Sequence, residues 1–521
     1  MSWRTTRAAG QGDAVSKQVA VIDLGSNSWR LVVFSYAPGT WWKRTDELYE
    51  TVRIGAGLGA SGRLSEAAIT RGMETLAVFE RFCRANRIAP EDVHVVATSA
   101  IREAANGEQF LEQAQAATGL TIETLSARDE AYFGYVAAIN TTMLTDGVVL
   151  DLGGGSLQLI EVRERHAGRI ASFGLGAVRM TEQFLPGSGP AKKKELARLR
   201  SHVRHELSSL DWLPSSGPRL VGVGGAVRNL AAAAQVTNGT IDLGVQGFVI
   251  TPDALHELLT TLAALGRDER GAVPGIKPGR GDIILAAAVV LDTLVELGDF
   301  DGIEATEAGL REGVFLARTL LDGSEPLFEN VREAAVHNLA ILYESDMEHV
   351  EHVACLSLQM FDSLVRGGLF EPARGERELL WAASMLHDVG MTISYDDHHK
   401  HSRYLIESAE LPGFDPRERA LIGQISRYHR KGIAKLGEIE PLALPGDDRL
   451  LDRCSVILRL AEHLERGRDQ SVSEARLRAN GHGVDLHLEA TGDLTLQRWS
   501  VERYGDGEAF ERVFNRRLLI G

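Results

Sequence analysis

At 521 residues the chain is long enough for about three or four domains of roughly 150 residues, and its 44% hydrophobic and 25% charged residues exclude a mostly disordered protein. Lys plus Arg number 56 against 72 Asp plus Glu, a net charge of −16, which argues against nucleic acid as a partner of the whole surface but not against an anion held in a local basic pocket. Three scattered cysteines, Cys83, Cys355 and Cys454, argue against a disulfide framework and a cysteine zinc site; with no apolar run of about 18 residues and a polar start, a cytoplasmic protein without a membrane partner is expected.

Residues 1–17 read as a disordered tail, and a first domain is expected over 18–142. Within it, 19–24 and 29–34 are strand-like apolar runs joined by the small turn Gly25, Ser26, Asn27 and Ser28, a hairpin signal. Apolar residues at helical spacing over 65–86, behind Ser65 as N-cap, predict a helix. Residues 93–97 read as a buried strand that turns through Thr98 and Ser99 into another helix.

The hairpin recurs over 147–162. Six of sixteen positions are identical at an offset of 128, among them Asp23/Asp151, Gly25/Gly153 and Ser28/Ser156. A duplicated α/β domain is therefore expected, the second copy over 143–322. It contains a third glycine turn, ending in Gly224 and Gly225, that runs from a strand into a helix, and further helices over 252–265 and 282–297. Residues 323–470 read as helical and hold nine of the sixteen histidines. A small α+β region closes the chain over 471–521, with 483–488 and 494–501 alternating like a strand pair and a helix over 508–514.

Glycine turns expose backbone N–H groups that converge on phosphate oxygens, and a helix N-terminus adds to them. An aspartate at the end of the strand before each turn, Asp23 and Asp151, suits Mg²⁺. Both turns are followed by a strand, whereas a dinucleotide fold needs a helix there. The pattern points to phosphoryl transfer or hydrolysis.

The segments IDLGSNSWRLVVF (22–34), ATSAIREA (97–104), ARDEAYFGY (127–135), VVLDLGGGSLQL (148–159), FGLGAVRMTE (173–182), VGVGGAVRNLA (221–231) and GLREGVF (309–315) resemble the exopolyphosphatase/guanosine pentaphosphate phosphatase (Ppx/GppA) family. The resemblance implies two actin-like (sugar kinase/heat-shock ATPase, ribonuclease-H-like) domains, then a helical HD-like domain and the small α+β segment. It implies Glu130 as catalytic base, Arg102 as a phosphate clamp, and Asp151 with Asp23 around Mg²⁺ or Mn²⁺. Gly25, Ser26, Asn27, Ser28, Gly153, Gly154, Gly155, Ser156, Gly224 and Gly225 are the implied phosphate donors. Arg311 and Arg179 are as readily structural ion pairs. The family's acidic residue seven positions beyond Asp151 is here Gln158, which cannot carry the charge. The HD-like resemblance implies a second divalent-metal set at His349, His387, Asp388 and Glu462.

Inorganic polyphosphate is the expected substrate, with guanosine penta- or tetraphosphate as the alternative, and a homodimer is expected. Three other readings stay open. Gln158 suggests a weakly active or non-catalytic sensor of polyphosphate or alarmone, the His387–Asp388 pair an HD-centred nucleotidase, and the superfamily a kinase. The basic run 192–205 reads as a solvated helix face or as a guide for a polyanion.

Overall fold

A computed structural model gives the structure of residues 16–520, apart from 238, 240, 241, 322, 324 and 505. The expected tail falls outside the described residues up to position 15; Lys17, counted in it, instead opens the first strand opposite Tyr36.

The first sheet has the order β3-β2-β1-β4-β5, built from β1 (Lys17–Leu24), β2 (Trp29–Ala37), β3 (Trp41–Glu50), β4 (Val93–Ala97) and β5 (Ile122–Thr124). Central β1 is nearly all apolar because it is covered on both faces and paired on both edges, antiparallel to β2 and parallel to β4. The edge strand β3 is charged and exposed at its centre, Lys43 to Asp46, which blunts edge-to-edge pairing. The helix Glu66–Ala85 buries Leu76, Phe79 and Cys83, and the Ser65 hydroxyl accepts the Ala68 N–H at its start, as its sequence predicts.

The second sheet has the order β10-β11-β9-β6-β7-β8, from β6 (Gly147–Leu152), β7 (Leu157–Arg163), β8 (His166–Phe173), β9 (Leu220–Val223), β10 (Val249–Ile250) and β11 (Ile303–Ala305). The run β8-β7-β6-β9-β11 repeats β3-β2-β1-β4-β5, with β10 as an added edge. Equivalent cross-strand pairs follow: Asp23 faces Arg30, and Asp151 faces Gln158. The expected duplication is thus present in topology as well as in sequence.

These sheets belong to one compact unit ending at Val331; a second runs from Arg332 onward. The second is mainly helical, including Met347–Arg366, Glu376–Leu386, His398–Ser408, Pro416–Arg427 and Asp447–Leu464. Its small sheet has the order β12-β13-β14, from β12 (Val472–Ala479), β13 (Val484–Ala490) and β14 (Leu518–Ile520). The expected pairing of 483–488 with 494–501 is not formed. β13 pairs with β12, and Thr495–Arg503 is a helix that buries Gln497, Ser500 and Val501, a helical spacing. No helix among the described residues is long and apolar enough to cross a membrane.

Candidate active site

Asp23 and Asp151 are the penultimate residues of the equivalent strands β1 and β6 and line one cavity in the first unit, together with the turns that follow them. Flanking loops take up the turn carbonyls. Ser26 and Asn27 oxygens accept from Gly55 N (3.0 Å) and Arg53 N (2.8 Å), and Gly153 and Gly154 oxygens accept from Ala177 N (3.0 Å) and Val178 N (2.9 Å). This fixes both turns beside the cavity. Gly25, Ser26, Asn27, Ser28, Gly153, Gly154 and Ser156 are on its wall. Gly155 is not; it packs behind, where a Cβ would lie 2.6 Å from Ser99 Oγ.

Between β9 and the helix Gly225–Thr237, the third turn also reaches the cavity. Gly224 has φ +109°, and a Cβ there would lie 2.8 Å from the Leu152 carbonyl oxygen. Gly224→Ala is expected to cost about 1–3 kcal/mol of stability, seen as a lowered midpoint in chemical unfolding. Gly225 permits a close approach: a Cβ there would lie 2.6 Å from Arg280 Nη2, so the glycine admits that guanidinium over the helix N-terminus.

Four arginines line the cavity: Arg30, Arg228, Arg280 and Arg311. Burial, followed by the charge of Arg311, pushes Arg30 and Arg228 below the usual guanidinium range, and burial does the same to Arg280. Arg311 is 6% exposed, its Nε has no hydrogen-bond partner among the described residues, and its ion-pair contact with Glu312 is 4.0 Å long. The sequence reading of Arg311 as a structural ion pair therefore gives way to that of a cleft cation. Arg179 does pair, with Glu103 at 2.5 Å. Asp23 Oδ1 and Asn27 Nδ2 are also buried without partners among the described residues. Cations that repel one another and open hydrogen-bonding atoms make the cavity complementary to a multiply charged oxyanion.

Sequence reasoning missed three of these arginines. Arg30 stands seven residues after Asp23, at the position equivalent to Gln158 one repeat later, and Arg228 stands in the helical segment after the third turn. Arg280 carries no local signal, because the chain fold alone brings its loop to the turn.

Glu130 lies in the first turn of the helix Ala127–Ile139, behind the N-cap Ser126, and on the cavity wall. Burial, partly offset by Arg102, raises its carboxyl to about 7. Burial and then the neighbouring Asp23 raise Asp151 to about 6, and burial raises Asp23 too. Arg102 Nη1 donates to Glu130 Oε2 at 2.9 Å and to the Leu125 oxygen at 2.7 Å. Arg102, expected as a phosphate clamp, is not among the residues that line the cavity; its guanidinium contacts are Glu130 and the Leu125 oxygen. Gln158 is 1% exposed and off the wall; its amide donates to Ser156 Oγ at 2.8 Å.

In the second unit His349, His387, Asp388 and Glu462 do come together, all buried. His349 Nε2 is 3.1 Å and His387 Nε2 3.3 Å from Glu462 Oε2. His398 and His429, outside the expected set, join them, whereas His401 does not.

Two lobes of equivalent topology with an arginine- and carboxylate-lined cleft define an actin-like fold. Its solved neighbours include the Ppx/GppA family member of Aquifex aeolicus, with TM-score 0.50 and 27% identity over 58% of this chain and 96% of that one. An exopolyphosphatase from Cytophaga hutchinsonii ATCC 33406 has TM-score 0.53 and 21% identity over 57% of this chain and 96% of that one. The chain belongs to the Ppx/GppA phosphatase family: residues 32–321 match the family model, and 331–501 match Ppx/GppA phosphatase domain III. A guanosine-5'-triphosphate,3'-diphosphate pyrophosphatase of Vibrio vulnificus (strain YJ016) is 28% identical over 90% of this chain and 92% of its own length.

Proposed function

We propose that the cleft hydrolyses the terminal phosphoanhydride of inorganic polyphosphate. The observation that carries this is the wall itself: four arginines and three sets of glycine-turn donors face Glu130, Asp23 and Asp151, and no aromatic ring is among the lining residues. Such a wall grips phosphate oxygens and offers no base platform.

Asp23 and Asp151 fit a hard divalent cation, Mg²⁺ or Mn²⁺. Both are oxygen donors, one Asp23 oxygen lacks a partner among the described residues, and Asp23 raises Asp151 by repulsion that a cation would relieve. When bound there, the cation would supply charge neutralisation for the phosphate oxygens.

The protein's own residues do the rest. Glu130 accepts a proton from water, whose oxygen attacks the terminal phosphorus while the bond to the bridging oxygen breaks and the shortened chain departs as an anion. Arg311, Arg228 and the turn N–H groups hold the oxygens on which negative charge is spread. Arg102 fixes Glu130, and Gln158 holds Ser156 in place without being a cation ligand.

The second reading, guanosine pentaphosphate, is supported by the Vibrio vulnificus relative, which matches over nearly the whole chain. Phosphate release from polyphosphate and from guanosine pentaphosphate, measured with Mg²⁺ and with Mn²⁺, separates the two. The expected result is the higher kcat/KM on polyphosphate. A higher value on the nucleotide overturns the polyphosphate reading, and no release from either overturns hydrolysis and leaves a binding role.

A further inference from the structure

In the second unit, four histidines from four separate segments meet away from solvent. His349 lies in the helix Met347–Arg366, His387 just after Glu376–Leu386, His398 at the start of His398–Ser408, and His429 just beyond Pro416–Arg427. They surround two carboxylates, Asp388 and Glu462, and the six side chains are between 0% and 7% exposed.

The ring orientations are set from behind. His387 Nδ1 lies 2.6 Å from the Ser384 oxygen, His429 Nδ1 2.6 Å from the Ser426 oxygen, and His398 Nδ1 2.9 Å from the Tyr395 oxygen. A carbonyl only accepts, so Nδ1 carries the proton in all three rings and each Nε2 presents a lone pair to the centre. His398 Nε2 and His429 Nε2 stand 3.2 Å apart, two lone pairs facing each other, and His387 Nε2 has no hydrogen-bond partner among the described residues. Histidines anchored at one nitrogen and bare at the other are arranged as metal ligands are.

Three of the six spacings fit as well, and the other three are longer by about half an ångström. Bonds of about 2.1 Å place neighbouring ligand atoms about 3.0–3.4 Å apart. Around Glu462 Oε2 the observed separations are 3.1 Å to His349 and 3.3 Å to His387. Around Asp388 Oδ1 they are 3.3 Å to His398 and 4.0 Å to His429. Asp388 reaches both groups, since its Oδ2 is 3.8 Å from His349 Nε2 and its Oδ1 is 3.7 Å from His387 Nε2. Arg468 lies at one side, with Nη2 2.8 Å from Asp388 Oδ2.

We propose that this cluster binds two first-row transition-metal cations bridged by Asp388. One is held by His349, His387, Glu462 and Asp388, the other by Asp388, His398 and His429. Four imidazoles with two carboxylates suit Mn²⁺, Fe²⁺ or Zn²⁺ and disfavour Mg²⁺. The pair is separate from the cleft cation, and it extends the four-residue set expected from sequence by two histidines and a second ion.

The test uses the full chain carrying Asp23→Asn with Asp151→Asn, which removes both carboxylates proposed to hold the cleft cation. After EDTA treatment and dialysis, the protein is titrated with MnCl₂, and bound metal is counted by elemental analysis alongside the Mn²⁺ spin-resonance spectrum. Two equivalents per chain with the spectrum of a coupled pair are expected, and His398→Ala together with His429→Ala should reduce this to one uncoupled ion. Fewer than two equivalents in the chain carrying Asp23→Asn with Asp151→Asn, or two ions with no coupling, overturns the proposal. Should the added histidine substitutions prevent folding by circular dichroism, the count and coupling in the chain carrying Asp23→Asn with Asp151→Asn alone decide. Because no activity is measured, the outcome is independent of the substrate assigned to the cleft.

Discussion

Glu130→Gln is expected to lower kcat on polyphosphate by about 10²–10⁴-fold, the usual contribution of a positioned general base. The amide keeps the shape of the side chain and a carbonyl that can still accept from Arg102 Nη1, so the loss should come without unfolding. The pH dependence gives a second signature. The wild-type base must be ionised, and its carboxyl sits at about 7, so kcat/KM should fall as pH drops through about 7. The residual rate of Glu130→Gln should show no such limb.

Stability runs the other way. A carboxyl raised from 4.5 to about 7 by folding is protonated in the native state and ionised in the unfolded state between those values. The unfolded state then binds fewer protons, and the slope of stability with pH is negative across this window. Wild type should therefore lose stability relative to Glu130→Gln from pH 4.5 to about 7 while it gains activity. A Glu130→Gln enzyme of full activity, or an unchanged acid limb, rules out Glu130 as the base.

How much of this was legible in the chain depends on how local each feature is. The paired Asp-Leu-Gly hairpins are short-range patterns repeated at one offset, so the duplicated sheets and the positions of Asp23 and Asp151 followed from sequence. Arg280 depends on a loop folding back over a helix that begins more than fifty residues earlier, and nothing near it marks it. Arg102 stands out in the sequence, but a guanidinium after a strand serves a phosphate or a carboxylate equally well. Only the fold shows that Glu130 stands 2.9 Å from it. In the helical unit, His387 and Asp388 are adjacent and stand out, whereas His398 hides in a His-His-Lys-His run whose members differ only in the face they turn inward. The error over 494–501 has a physical source too. The pairs Leu494/Leu496 and Trp499/Val501 are each spaced by two and mimic alternation, whereas two of the three buried helical positions, Gln497 and Ser500, are polar, so the inward helical face carried little hydrophobic signal.

Arg311 carries the other large effect. Arg311→Ala is expected to reduce kcat/KM by about 10²–10³-fold, the scale of one preorganised donor to a developing oxyanion. Arg311→Lys should recover only part of it, since an ammonium cannot reproduce the planar two-nitrogen grip on phosphate. A structural arginine would behave differently, because its removal would leave a carboxylate unpaired in the interior and lower the unfolding midpoint. Here Arg311 is itself a source of repulsion for Arg228 and Arg30, and its Glu312 contact is 4.0 Å long. Relief of that repulsion is set against the loss of its attraction for the buried Asp23 and Asp151, so the free enzyme should melt near the wild-type temperature. The difference should emerge with ligand present. Polyphosphate binds only the native state and raises the wild-type midpoint by mass action, and the weaker grip of Arg311→Ala should shrink that rise. Equal ligand-induced shifts in wild type and Arg311→Ala, with kcat/KM unchanged, would remove Arg311 from the site and with it the argument that mutually repelling arginines in the cleft await a polyanion.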